Sequence, residues 1–168
     1  MRYERWVVSL GVCALLACES PRGSAPLTPD QAVAVSKDVR GFMSEVADGV
    51  STRGPAAWRD YFADTPQFFM ASEGRLTFPS GEAAAQGIEG ITRSISHIEL
   101  RWGHEVRVDP LTSTLAIVAV PFHESLVLAT GRKVEEDGYF TGLTELGSKG
   151  WRFRNAHWSV AAPPVVPP

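Results

Sequence analysis

The sequence predicts an α+β domain: a cone-shaped, curved, mostly antiparallel sheet wrapped around three N-terminal helices. Three observations carry that expectation. Apolar residues recur at helical spacing between residues 28 and 95, then at a spacing of two from residue 97 onward. Turn residues cut the second half into consecutive strands, the pattern of a meander. The two cysteines, Cys13 and Cys18, both precede this region, so roughly 130 residues must be held by an ordinary apolar core, which a chain of that size can build.

Thr28-Pro29-Asp30-Gln31 is a helix start, with a capping Thr, Pro at the first helical position and Gln completing a capping box. Val35, Val39, Phe42, Val46 and Val50 then form one stripe, and the helix ends near Gly49–Gly54. A shorter helix begins at Pro55 and shows Trp58, Tyr61 and Phe62. A strand over Gln67–Met70 turns at Glu73-Gly74 into Leu76–Phe78. Ser80 opens a third helix carrying Ala84, Ile88, Ile91 and Ile95. Residues 97–108 read as one strand, with Ile98, Leu100, Trp102, Val106 and Val108 on its buried phase, followed by a turn through Asp109-Pro110 and Thr112-Ser113. Strands over 114–129, 134–146 and 151–160 complete the sheet, and the acidic run Glu135-Glu136-Asp137 reads as a solvated hairpin tip. A curved sheet closing over helices leaves a pocket between them.

The N-terminal end carries a different signal. Arg2 and Arg5 precede a twelve-residue apolar run from Trp6 to Ala17. That run is shorter than the ~20 residues needed to cross a hydrocarbon core, so residues 1–17 read as a removable export signal. Leu15-Leu16-Ala17-Cys18 resembles the lipobox of bacterial lipoproteins, which implies lipidation of Cys18 and attachment to the cell envelope, facing the periplasm. The same resemblance implies, with Glu19 after the cysteine, the outer membrane in preference to the inner one. The alternative is an ordinary secretory signal with an incidental cysteine. Residues 18–27, rich in Pro, Gly, Ser and Ala, form a tether, residues 28–161 the domain and residues 162–168 a Pro-rich tail. Loss of two Arg and one Glu with the signal takes the net charge from −3 to −4, which argues against a nucleic-acid partner.

The closing segment, Gly150-Trp151-Arg152-Phe153-Arg154-Asn155-Ala156-His157-Trp158-Ser159, resembles the last strand of nuclear-transport-factor-2-like domains. The likeness is to their SnoaL-like and calcium/calmodulin-dependent kinase association branches. The order of elements over residues 28–160 is similar to theirs as well. The resemblance implies a conical α+β fold, usually a homodimer formed through the sheet. In the kinase association branch an Arg that lines the pocket often follows a Thr; here Thr141 is followed by Gly142, which puts carboxylate capture by that route in doubt.

Polar residues on apolar strand phases are the candidate site. His104 lies between Trp102 and Val106, Glu124 follows Val118, Val120 and Phe122, and His157 shares a phase with Phe153, Asn155 and Ser159. With Trp102, Phe122, Tyr139 and Asn155 as further lining, these groups suit acid–base chemistry on an enolisable molecule. Each also has a structural reading. His104 is then a core histidine or faces out across a bulge, Glu124 is turned to solvent by Pro121, and His157 bonds across to a neighbouring strand. Trp158, on the opposite phase, reads as core or interface. The isomerase set of an Asp base with Tyr and protonated-Asp donors is not recognisable. No residue spacing points to a metal or another cofactor. The expectation is a membrane-anchored, non-catalytic pocket domain for a small apolar or amphipathic ligand or a protein partner. The alternatives are an isomerase, cyclase or dehydratase using a pocket His, and a dimeric assembly module.

Metabolic labelling with a radioactive fatty acid checks the anchor: the wild-type chain takes up label and Cys18→Ala does not. Label retained by the variant would sink the assignment.

Overall fold

The computed structural model describes residues 26–160. The signal at 1–17, Cys18, most of the tether and the Pro-rich tail lie outside the described residues. The expected capping box is present. The Gln31 backbone N–H donates to Thr28 Oγ1 (3.3 Å), and the Thr28 N–H donates to the Gln31 side chain (2.9 Å). Helix α1 runs from Pro29 to Arg53 and buries the whole predicted stripe, Val35 through Val50, together with Met43. After a single 3-10 turn at Pro55–Ala57, α2 spans Trp58–Tyr61. Arg53 lashes the two together, pairing with Asp60 and donating to the Tyr61 hydroxyl at 2.9 Å; that hydroxyl donates in turn to the Glu45 carbonyl at 3.0 Å. Helix α3 covers Gly81–Ser94, capped by Ser80, whose hydroxyl accepts from Ala83 N–H at 3.2 Å.

The strands are β1 (Phe69–Ser72), β2 (Arg75–Phe78), β3 (Ile95–Trp102), β4 (Arg107–Thr112), β5 (Leu115–Leu128), β6 (Lys133–Gly147) and β7 (Gly150–Val160). They form one curved, unclosed mixed sheet in the order β2-β1-β7-β6-β5-β3, with β4 also on β5. All pairs are antiparallel except β1 with β7. Fold class and helix count match the sequence reading.

Five details differ, the first being that the strand expected over Gln67–Met70 lies two residues further on, at Phe69–Ser72. Ile95 begins β3 instead of ending α3. The segment read as one strand over 97–108 is two strands, β3 and β4, which lie end to end along the same edge of β5 and are separated by Gly103–Val106. Asp109 and Pro110 belong to β4, and the turn falls at Ser113–Thr114. Strand β4 pairs on one side only, so a residue without an N–H is tolerated there. The acidic run lies within β6; the hairpin turn is at Ala129–Arg132.

The break between β3 and β4 is matched by Pro121 on β5. Its carbonyl accepts from Gly103 N–H at 2.8 Å, so its nitrogen faces the same edge, where the chain has bent away. No donor to β6 is lost, and the inward phase of β5 runs unbroken through the proline. Helix α1 covers this edge. Ser51 Oγ accepts from Leu100 N–H at 2.9 Å, and Trp102 Nε1 donates to the Met43 carbonyl at 2.7 Å.

Strand β7 changes phase halfway along. Leu143 pairs with Asn155 and Thr144 with Phe153, leaving Arg154 unpaired as a bulge. The Asn155 side chain supplies the acceptor that the bulge removes, taking the Leu143 N–H at 2.9 Å. Phe153 therefore points into the cone on one side of the bulge, and Ala156, Trp158 and Val160 do so on the other. Asn155→Ala leaves the Leu143 donor unpaired. It is expected to cost about 1 kcal/mol in urea unfolding at unchanged denaturant slope.

Candidate binding cavity

Aromatic rings fill the cone at one end, and the other end is open. Phe140 and Phe153, both fully buried, pack ring against ring (5.0 Å) with Phe42 of α1 touching Phe153 (5.0 Å). Trp158 stands where the filling stops. Its indole meets Phe122 at 4.6 Å, Phe140 at 4.8 Å, Trp58 at 5.6 Å and Trp102 at 5.8 Å. Beyond it lies a cavity of about 250 Å³. Trp58 and Phe62 line it from α2 and the residue after it, Ile88 and Ile91 from α3, and Ile95 and Ile98 from β3. Strands β1 and β2 add Met70, Ser72 and Phe78, with Glu73 at the turn between them.

The sheet side holds Phe122, Glu124 and Leu126 of β5, Glu136 of β6, and Trp158 and Val160 of β7. Room for Phe122 comes from Gly138 opposite: a Cβ there would stand 2.6 Å from the Phe122 ring and 2.3 Å from the Ser159 carbonyl. Glu124 and Glu136 are direct cross-strand partners, so their side chains stand on one face about 5 Å apart at Cβ. Burial, with the neighbouring Glu136 charge adding to it, pushes the Glu124 carboxyl up to about 7. Glu73 is tied down differently, its carboxylate accepting from Val160 N–H at 3.0 Å.

The structure separates the candidate residues. Glu124 and Phe122 line the cavity. Trp102 belongs to the aromatic packing instead, where its ring meets Phe140 at 5.4 Å. His104 falls in the bend between β3 and β4 and is exposed, the outward alternative. The bulge at Arg154 turns His157 to the outer face, where it is exposed, and commits Asn155 to Leu143. Tyr139 is 40% exposed on the outer face, one residue off the inward phase held by Gly138 and Phe140. His123, on the same outer face, sits between Asp137 (2.9 Å) and Glu135 (3.1 Å). None of the four histidines lines the cavity, so a pocket imidazole is not available as acid–base. At Gly142 a Cβ would lie 2.9 Å from the Asn155 carbonyl and 3.0 Å from the Phe140 ring, so no guanidinium can enter there.

Of the residues that line the cavity, only Phe122 and Glu124 are among the sequence-predicted site residues; Trp158 and Glu136 are the most telling of the others. Trp158 was on the wrong phase because counting by twos does not register a bulge. Glu136 belongs to an acidic run that reads as a solvated hairpin tip, whereas it lies within β6. Its alignment opposite Glu124 across a Leu128–Lys133 hairpin was the signal that could have found it. Among the described residues, no group of His, Cys, Asp and Glu has the geometry to hold a metal ion.

Neither a protein-family profile nor a curated protein sequence matches the chain. Solved structures do. A nuclear-transport-factor-2-like protein from Salmonella enterica serovar Typhimurium superposes with a TM-score of 0.66 at 15% identity, covering 78% of this chain and 94% of that one. A hexachlorocyclohexane dehydrochlorinase (LinA) of type 2 gives 0.63 at 13% identity, covering 83% and 100%. A calcium/calmodulin-dependent protein kinase II association-domain-like protein from Xanthomonas campestris gives 0.62 at 18% identity, covering 78% and 89%. The chain thus has the nuclear-transport-factor-2-like fold, as its closing strand and element order suggested.

The buried carboxyl makes stability depend on pH. Its folded value, about 7, lies above the ordinary 4.5, so the folded state prefers the protonated form. Its contribution is fully present below 4.5, declines between 4.5 and about 7, and is lost above that. Glu124→Gln, which cannot ionise, is expected to gain up to roughly 3 kcal/mol on wild type between pH 4 and pH 8, read as the difference in unfolding free energy.

Proposed function

We propose that this domain holds a small apolar or amphipathic molecule in the cone cavity without transforming it, and that lipidated Cys18 keeps it at the cell envelope. The observation that carries the reading is the cavity itself. It is open at one end, walled by aromatic and aliphatic side chains, and provided with one paired polar feature, Glu124 and Glu136. Pockets of this kind bind by burying apolar surface and use a few polar groups for orientation. The likeness to solved structures supports the scaffold and leaves the chemistry to the site.

One observation favours a second reading, a lyase or isomerase. A carboxyl held near 7 in an apolar cavity is matched to proton abstraction at neutral pH, and the neighbouring fold includes a dehydrochlorinase. The sheet offers no imidazole or tyrosine beside Glu124 to stabilise the resulting charge, which weighs toward binding alone.

N-phenyl-1-naphthylamine, whose fluorescence rises in apolar surroundings, tests the site. It is expected to bind and to raise the melting temperature of the wild-type domain. Ile91→Trp, which fills the cavity from α3, is expected to weaken binding at least about tenfold while the far-ultraviolet circular dichroism is unchanged. Equal binding by that variant would remove the cavity from consideration. Mass spectrometry showing turnover of a bound molecule would move the conclusion to the second reading.

A further inference from the structure

The charge pattern of the cavity narrows the class of molecule it takes. Every ionisable group that lines it is acidic: Glu124 on β5, Glu136 on β6 and Glu73 at the β1–β2 turn. Helices α2 and α3 and strands β1, β2, β3 and β7 present no Lys, Arg or His to it among the described residues. Glu73 already accepts from the Val160 N–H. Glu124 and Glu136 face each other across the ladder, and neither side chain meets a hydrogen-bond donor or an ion-pair partner among the described residues. Like charges directly opposed across two strands are destabilising, so this pair is relieved by a proton or by a cation from outside.

The surroundings decide between a simple ion and an organic one. Trp58 and Trp158, with Phe62, Phe78 and Phe122, line the space that the two carboxyl groups share. Aromatic faces attract a cation by their quadrupole and an apolar body by burial, and both effects act on the same molecule only when it is an amphipathic cation. From this juxtaposition of a cross-strand carboxylate pair with an aromatic-walled cavity, we infer that the ligand is a protonated organic amine carrying a compact apolar or aromatic body. The inference rests on the cavity being the binding site, as argued above. The ammonium seats between Glu124 and Glu136 and the body lies against Trp158 and Phe122. Seating it ionises the pair, so binding releases to solvent a proton that the pair held.

Three probes of one shape test this: 2-(2-naphthyl)ethylamine, 2-(2-naphthyl)ethanol and 2-naphthylacetate, each displacing N-phenyl-1-naphthylamine from the wild-type domain. The amine is expected to bind about tenfold or more tighter than the alcohol, and the acetate weakest. The amine-to-alcohol ratio is expected to rise between pH 5 and pH 8 and to collapse toward one in Glu124→Gln/Glu136→Gln. The pH series uses unaltered protein and so reads the inference even if the double variant does not fold. An amine that binds no better than the alcohol across that pH range, with the alcohol itself binding, overturns the amine assignment and leaves the cavity standing. A preference that survives in the folded double variant overturns it too. Failure of the reporter and all three probes to bind overturns the cavity reading and this one with it.

Discussion

The inner face of this sheet can be filled only if its last strand changes phase partway along. At the packed end, Phe153 must enter the cone to meet Phe42 and Phe140. Farther along, Trp158 must enter to bridge Trp58, Phe122 and Phe140. The two are five residues apart, an odd interval that a regular strand places on opposite faces. One unpaired residue, Arg154, reconciles them, and the Asn155 side chain makes good the backbone acceptor that the bulge costs. The aromatic cluster and the limit of the cavity both follow from that one insertion.

The paired glutamates set the opposite balance. Aliphatic residues at Glu124 and Glu136 would extend the core and remove both a desolvation cost and a repulsion. The sheet instead keeps two carboxyl groups on its inward phase, beside a space left unfilled by Ile88, Ile91 and Ile98. A domain built for packing alone gains from neither. The combination is intelligible as a site whose polar groups are completed by what enters it.

Much of the fold was legible because it is written locally. The capping box at Thr28, the stripe from Val35 to Val50, the Ser80 cap and the alternation along β5 each depend on residues within a turn or two of one another. The site was only half legible, for the complementary reason. Whether His157, Asn155 and Trp158 face in or out is decided by a bulge whose partner lies on β6, and His104 is turned out by a break whose partner is Pro121 on β5. Pro121 itself looked able to flip Glu124 outward, but its nitrogen points at the gap, so the phase survives. Tyr139 is outward because Gly138 and Phe140 hold the inward positions of β6.

An unclosed sheet leaves two edges, and free edges are templates for adding strands from other chains. Here one edge is the four-residue β2, and the other is bent between β3 and β4 and overlaid by α1, with Ser51 occupying the backbone groups of Leu100. Neither offers a straight, vacant run of amides and carbonyls. Copies that meet edge to edge therefore find no template on which to zip into a continuous ribbon.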